Sequence, residues 1–205
     1  MAGEPARPLA GSETPNAPEV EAAYQNAPDH LVAEILHGIV VMSPRPAAPH
    51  ARLAGRLYGT LYGPFDVGTG GPGGWILLPE PELHLGPKPD KLEPDLAGWK
   101  GERLPHPPAK AALTVPPDWI CEVISARTEV IDRGLKMPLY ATHGVRHAWL
   151  IDPLERYLEI FRLEAGRWRQ VRIAREDERV RAEPFETLEL DLVGLWRWHA
   201  ALGAP

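Results

Sequence analysis

The chain has 205 residues, of which 44% are hydrophobic and 24% charged, as expected for a soluble globular domain. Its formal net charge of −6 argues against a protein that coats nucleic acid non-specifically, because such proteins are basic overall. The single cysteine, Cys121, excludes an internal disulfide, fits a reducing compartment and is predicted to be a buried apolar residue. No run approaches the ~20 apolar residues of a membrane span and no signal peptide is evident, so we predict a cytoplasmic protein without a membrane partner.

The first part of the chain is an unpatterned segment followed by an alternating one. Residues 1–18 are rich in Pro, Ala, Gly and Glu, so we predict a disordered tail there and a single domain over 19–205. The stretch Pro18–Gln25 fits a short helix. Apolar residues then alternate over 31–42 and predict a β-hairpin that turns at His37-Gly38.

The pattern next changes to a helical period. Leu53, Leu57 and Leu61 form an i, i+4 stripe, which predicts an amphipathic helix over residues 47–62. The glycine-rich stretch 63–74 is interpreted as a loop and lacks the lysine of a phosphate-binding loop.

Extended segments and loops follow. Residues 74–85 are predicted to be extended with a proline bend, and 87–91 to be a polar loop. A short strand is predicted over 93–99, and 101–117 is proline-rich and expected to be a loop.

A buried strand and the helix after it form the centre of the predicted fold. The β-branched, apolar run 119–125 is typical of a strand that is covered on both faces, yet it carries Glu122 in its middle. An unpaired carboxylate there would cost several kcal/mol, so it must pair, protonate or bind a metal. In the helix, Asp132, Lys136 and Tyr140 follow one another at intervals of four and are predicted to share one face.

The segment that follows completes a strand–helix–strand unit. Pro138 lies late in the helix and is expected to distort it. Residues 145–152 are predicted to be another buried strand, parallel to the first. The class is therefore α/β or α+β with a mixed sheet.

The C-terminal part is predicted to be mainly antiparallel. Two strands over 157–163 and 168–173 flank a turn at Gly166 and predict a hairpin. Residues 175–182 are charged and expected to be exposed, and 185–190 to form a last strand. Asp191 is expected to cap a final helix that carries Trp196 and Trp198.

Three residues form the principal candidate site. If Asp95 and Glu122 lie on neighbouring strands, their carboxylates converge on one divalent cation, with the backbone carbonyl of Val123 as a further oxygen ligand. Magnesium suits such a site, and manganese is its substitute. Lys136 would orient the attacking water or stabilise charge on a phosphate. The set suits phosphodiester hydrolysis.

These residues resemble the Uma-type putative restriction endonuclease family, part of the PD-(D/E)XK nuclease superfamily. The resemblance covers roughly residues 28–163. It rests on Pro94-Asp95, Glu122-Val123-x-Ser125, Asp132, Lys136, Tyr140, Gly144-Val145 and 149–153, and upstream on 38–44 and His50.

The resemblance implies a restriction-endonuclease-like fold, in which helices flank a central mixed β-sheet with N-terminal and C-terminal hairpins, and magnesium-dependent cleavage of DNA. One departure concerns the lysine, which in the strict superfamily motif follows the glutamate by two residues. Ile124 holds that position here, and Lys136 on the following helix matches the family's displaced lysine.

Other residues have both a supporting and a structural interpretation. His50 could contact phosphate or position water, or act in capping or packing. Glu80 could add a carboxylate or be a solvated bend residue. Tyr140 could hydrogen-bond the site but is expected to fill the core, and Glu34 is interpreted as structural.

Two alternatives to a DNA endonuclease remain open from the sequence. One is a non-catalytic binding or assembly module on a nuclease fold, and the other is a hydrolase of a different phosphoester. The apolar strands and the tryptophan-rich C-terminus also suggest a homodimer.

Overall fold

The protein is described from a computed structural model over residues 16–106, 108–109 and 111–197. The predicted tail lies outside these residues except at its end, where Asn16 is buried and Pro18 begins a helix. Trp198 also lies outside them. Within this part of the chain, every helix is too short or too polar to cross a bilayer.

The structure alternates short helices with strands along the chain. The α-helices are α1 (Pro18–Gln25), α2 (Ala48–Leu61), α3 (Glu129–Ile131), α4 (Met137–Thr142) and α5 (Leu192–Trp196), and π-helical turns occupy Tyr62–Val67 and Asp132–Lys136. The strands are β1 (Leu31–Leu36), β2 (Ile39–Pro44), β3 (Trp75–Pro79), β4 (Leu83–Leu85), β5 (Asp90–Leu92), β6 (Leu96–Lys100), β7 (Trp119–Val123), β8 (His147–Asp152), β9 (Tyr157–Glu164), β10 (Arg167–Arg175), β11 (Arg179–Val180) and β12 (Leu190–Asp191).

A six-stranded mixed sheet forms the centre, in the order β10-β9-β8-β7-β6-β3. Strands β7 and β8 pair in parallel, and the other neighbours in this sheet are antiparallel. A second sheet has the order β2-β1-β5-β4, and β11 pairs with β12. The predicted mixed sheet and both predicted hairpins, β1–β2 and β9–β10, are confirmed.

The central strand β7 is buried on both faces, as its apolar sequence predicts. Trp119 and Cys121 belong to a core cluster that includes α2 and α5, whereas Ile120 belongs to a cluster with α4 and the four-stranded sheet. Because successive side chains of a strand alternate in direction, Glu122 points to the same face as Ile120, towards the helix that follows β7.

The helical segment after β7 is continuous, and its middle turn is π-helical. In this turn the backbone N–H of Met137 donates to the carbonyl of Asp132, five residues earlier. Pro138 has no N–H to continue the α-helical hydrogen-bond pattern, which accounts for the distortion that its position predicts.

Several sequence predictions require correction. Residues 74–85 are extended and broken at the predicted proline bend, but the two halves belong to different sheets, β3 to the six-stranded sheet and β4 to the four-stranded one. The predicted loop 63–74 is π-helical in its first part, because the π-helical turn covers Tyr62–Val67. The predicted polar loop 87–91 contains Asp90 and Lys91, the first two residues of β5. In β5, Lys91 can be buried because its ammonium lies 2.6 Å from a carboxylate oxygen of Glu21.

The C-terminal predictions are only partly confirmed. The segment 175–182 is not wholly exposed, because Val180 lies in β11 and is buried together with Ala182. Of the predicted strand 185–190, Leu190 lies in β12, whereas Phe185 fills the core beside Trp149. The cap of α5 is confirmed.

Candidate active site

A cavity of about 410 Å³ opens between the two sheets, where β1, the start of α2, the end of β7 and the helical segment after it meet. Its lining is unusually rich in carboxylates. They belong to Glu34, Glu93, Asp95, Glu122 and Asp132. The single lysine among the lining residues is Lys136.

Asp95 and Glu122 come together through the register of β6 and β7. Leu96 pairs with Cys121 in this antiparallel ladder, and continuing the register by one residue sets Asp95 opposite Glu122. The contact is fixed by the backbone, because the N–H of Val123 donates to Oδ2 of Asp95 at 2.7 Å. Two acids that are distant in sequence therefore line one cavity.

Lys136 reaches this pair from the π-helical turn. Its Nζ lies 2.8 Å from Oε1 of Glu122, 3.2 Å from Oε1 of Glu34 and 3.8 Å from Oδ1 of Asp132. Burial alone would lower the pKa of this lysine, but the charges of Glu122 and Glu34 raise its pKa well above the usual value. The side chain is therefore an ammonium ion at neutral pH.

Tyr140 lies one turn beyond Lys136 and contacts the same carboxylate. Its hydroxyl donates to Oε1 of Glu122 at 2.6 Å, and its side chain is fully buried. Burial raises the pKa of Tyr140 well above its usual value, and the charge of Glu122 raises it further, so the phenol keeps its proton. Tyr140 fills the core, as expected, and it also hydrogen-bonds Glu122 in the site.

Three carboxylates surround the one ammonium group of Lys136. Burial raises the pKa of Glu122 well above its ordinary value; Lys136 opposes this rise, while the charges of Asp132 and Asp95 add to it. Burial likewise raises the pKa values of Glu93 and Asp132. Without a further positive charge, these groups resist being ionised together.

His50 contacts the other acid of the pair. It lies in the first turn of α2, and its Nε2 is 2.5 Å from Oδ1 of Asp95. Both side chains are mostly buried. His50 is thus placed to orient Asp95, a contact that the sequence analysis did not predict.

Glu80 is the candidate that the structure does not bring to the cavity. Its side chain is exposed, and its backbone is left-handed with a φ of 46°. Its N–H donates to the backbone carbonyl of Asp95 at 3.0 Å. Glu80 therefore shapes the bend between β3 and β4, in line with the structural alternative for this residue.

Two acids of the cavity were missed as site residues. Glu34, interpreted as structural, contacts Lys136 and accepts a hydrogen bond from the N–H of Glu93 at 2.9 Å. A signal for Glu34 is present in the sequence, because it is the one acid in the otherwise apolar strand LVAEIL. Glu93 carried no such signal.

The residues present suit a hard divalent cation. In the described part of the chain no three His, Cys, Asp or Glu side chains are grouped as a metal cage. Magnesium, however, commonly uses one or two carboxylates and completes its shell with water. Oε2 of Glu122 accepts no hydrogen bond from any described residue, and a carboxylate such as Asp95 keeps acceptor capacity beyond its two contacts.

Comparisons with known proteins identify the family and the fold. Residues 19–193 match a family described as putative restriction endonuclease, Uma2. The fold is similar to a crystal structure of a putative nuclease belonging to DUF820 from Anabaena variabilis, with a TM-score of 0.68 and 18% sequence identity. This likeness covers 86% of the present chain and 96% of the other. No curated protein matches the chain.

The structural likeness confirms the predicted restriction-endonuclease-like fold, with a central mixed sheet flanked by helices. Family and fold together support a nuclease. Since the family match extends over most of the sequence, the chain belongs to the Uma2 family of putative restriction endonucleases.

Proposed function

We propose that this protein is a magnesium-dependent endonuclease that hydrolyses phosphodiester bonds of DNA. The observation that supports it best is the convergence of Asp95, Glu122 and Lys136 on one cavity, with the ammonium of Lys136 2.8 Å from Glu122. Two acids that can hold a metal and an amine that can stabilise negative charge are suited to metal-assisted hydrolysis of a phosphodiester.

Asp95, Glu122 and the backbone carbonyl of Val123 are the residues that would hold Mg²⁺, with Mn²⁺ as its substitute. When bound, the ion supplies Lewis acidity, which lowers the pKa of water and offsets negative charge on the phosphate. His50 and the N–H of Val123 fix the Asp95 carboxylate, and Tyr140 fixes that of Glu122. The pair of acids is therefore pre-organised by its neighbours.

Lys136 would act through its positive charge. With a pKa well above the usual value, it does not serve as a general base at neutral pH. Its N–H groups can instead orient the attacking water and stabilise the additional negative charge on the phosphate oxygens as the water oxygen attacks phosphorus. Glu34 is a second carboxylate partner of the ammonium, at 3.2 Å.

One observation favours the alternative of a non-catalytic binding module. Lys136 is only 4% exposed and has carboxylate partners on several sides, as in a purely structural ion cluster. This alternative predicts binding of a partner without hydrolysis under any divalent metal. A hydrolase of another phosphoester would use the same residues and is distinguished by a panel of phosphoester substrates.

The proposal is tested by incubating plasmid DNA and a single-stranded oligonucleotide with the protein and Mg²⁺ or Mn²⁺. Asp95→Asn and Glu122→Gln are expected to abolish strand cleavage, and Lys136→Met is expected to reduce it about 10²–10³-fold. Glu186→Gln serves as the matched control, because this glutamate is exposed on the turn between β11 and β12, away from the cavity. Cleavage that persists unchanged in Glu122→Gln would remove Glu122 from the mechanism.

A homodimer remains our proposal for the assembly, and sedimentation velocity tests it. The tryptophan-rich C-terminus supports it less than the sequence suggests. Trp196 packs against the chain's own core, and its indole N–H donates to the carbonyl of Glu176 at 2.6 Å. A sedimentation profile with monomer alone would reject the dimer.

A further inference from the structure

We infer that Arg45 and Arg127 form a cationic rim at the mouth of the cavity, which binds backbone phosphates of a nucleic acid on either side of the bond that is cut. The inference rests on the proposed function, because it takes the cavity as the place of cleavage. It assigns binding residues that neither the sequence motif nor the acid pair contains.

The charge of the cavity floor creates the need for such a rim. Five carboxylates line the cavity, and the ammonium of Lys136 is already surrounded by three of them. When a nucleic-acid backbone approaches the cavity, the carboxylates repel several of its phosphates. A single metal ion bound in the cavity would offset this repulsion only for the phosphate next to it. Cations further out are therefore needed to hold the neighbouring phosphates.

Arg45 and Arg127 are the two arginines among the described lining residues, and both are exposed. They come from different parts of the fold, since Arg45 follows β2 and Arg127 follows β7. The two arginines thus follow strands of different sheets, β2 of the four-stranded sheet and β7 of the six-stranded one.

Arg45 is held in place by its Nε, the guanidinium nitrogen nearest the backbone. Its Nε donates to the carbonyl of Asp29 at 2.8 Å, so the two terminal nitrogens remain available for a ligand. Arg45 lines the cavity together with Glu93 and is exposed, so its side chain borders both the acidic lining and solvent.

Arg127 is presented by a short, fixed turn. The N–H of Thr128 donates to the carbonyl of Ser125 at 3.0 Å, and the hydroxyls of these two residues are 3.1 Å apart. Among the described residues Arg127 has no carboxylate partner within salt-bridge distance. An exposed guanidinium on a rigid turn is suited to bidentate binding of a phosphate.

The test measures how binding of DNA depends on salt. A fluorescein-labelled single-stranded 20-mer and the corresponding duplex are titrated with protein in the Glu122→Gln background, so that the probe is not consumed. The slope of log Kd against log salt is expected to fall, per arginine replaced by glutamine, by about 0.7 for the single strand or about 0.9 for the duplex. The probe that shows the larger loss of affinity identifies the form of DNA that the rim holds.

Two controls separate a phosphate contact from a general effect of charge. Arg167→Gln removes an exposed arginine at the start of β10, outside the cavity lining, and is expected to leave the slope unchanged. Arg127→Lys keeps the charge and is expected to preserve most of the slope while weakening affinity. An unchanged slope in the Arg45→Gln/Arg127→Gln protein with both probes, or an equal fall in Arg167→Gln, would overturn the inference.

The outcome is distinguishable from that of the proposed function. Cleavage that depends on Glu122, combined with an unchanged salt slope in the arginine variants, would reject the rim and retain the nuclease. A reduced slope in a protein that cleaves no phosphoester would retain the rim and reject the nuclease.

Discussion

Lys136 Nζ lies 2.8 Å from Oε1 of Glu122, although the two residues belong to different elements, a strand and the helical segment after it. In the strict superfamily motif the lysine shares the strand of the glutamate, at the position that Ile124 holds here. Ile124 is 1% exposed and packs in the core. The long stem of Lys136 thus brings an amine to the Glu122 carboxylate from outside the strand, and we propose that it takes the place of the motif's lysine.

The Lys136–Glu122 pair is predicted to be important for both stability and cleavage. Lys136→Met is expected to reduce cleavage about 10²–10³-fold, because a preorganised charge is lost. It is also expected to lower the free energy of unfolding by about 3–5 kcal/mol, because Glu122 is left buried without its partner. Urea unfolding and a cleavage time course measure the two effects.

A double variant and a surface lysine provide the controls for this prediction. Lys136→Met/Glu122→Gln is expected to be more stable than Lys136→Met alone, since no unpaired charge then remains. Lys88→Met, on an exposed turn, is expected to change neither quantity. Full stability and full cleavage in Lys136→Met would contradict the prediction.

Binding of Mg²⁺ is predicted to raise the melting temperature of the protein. The carboxylate surplus in the cavity favours an added cation, and a ligand at one hundred times its Kd stabilises the folded state by about 2.7 kcal/mol. Differential scanning fluorimetry with increasing Mg²⁺, and again with EDTA, measures the shift. Asp95→Asn and Glu122→Gln are expected to lose the Mg²⁺-dependent rise in melting temperature, and Glu186→Gln is expected to keep it. An equal rise in all three variants would argue against a metal site at Asp95 and Glu122.

Glu34 is predicted to position Lys136 rather than to bind the substrate. Glu34→Gln retains an oxygen that can accept from the N–H of Glu93 but removes one of the charges that hold the ammonium. We expect kcat to fall about tenfold, equivalent to ~1.4 kcal/mol, with little change in KM. Steady-state kinetics with a labelled oligonucleotide separates the two constants, and a rise in KM with unchanged kcat would contradict this role.

The parts of the site that the sequence predicted are those with a strong local signal. Glu122 stands out because its strand neighbours are apolar, and Lys136 and Tyr140 because helical spacing sets them on one face. Glu34 has a similar local signal, but its place in the site depends on long-range pairing, which the local sequence does not reveal. Glu34 reaches the cavity because β1 pairs with β5 through Ile35 and Lys91, and β5 contains charged residues that predict a loop.

The same reasoning explains the errors in the fold. Residues 74–85 read as one extended run, yet the bend at Glu80, with its left-handed backbone, sends the two halves into different sheets. Val180 and Ala182 are isolated apolar residues in a charged segment, so their burial depends on packing that local periodicity does not encode.

Glu93 is predicted to make the stability of the metal-free protein fall as pH rises. Burial raises its pKa above the ordinary value of 4.5, and the charges of Glu80 and Glu34 add to the rise. Above pH 4.5 the unfolded chain releases this proton more readily than the folded one, so ionisation favours unfolding until the pH exceeds the raised value. Glu93→Gln removes this penalty and is expected to gain stability over wild type as pH increases.

Urea unfolding in EDTA at a series of pH values between 4 and 8 tests this sign. The free energy of unfolding of Glu93→Gln minus that of wild type is expected to be smallest near pH 4, where Glu93 is protonated in both states, and to increase towards pH 8. Glu186→Gln provides the reference, because an exposed glutamate is expected to give a small, nearly constant difference. A difference that stays flat in Glu93→Gln would show that folding does not raise the pKa of Glu93, and one that decreases with pH would show that the folded protein stabilises the ionised carboxylate; either result would contradict the prediction.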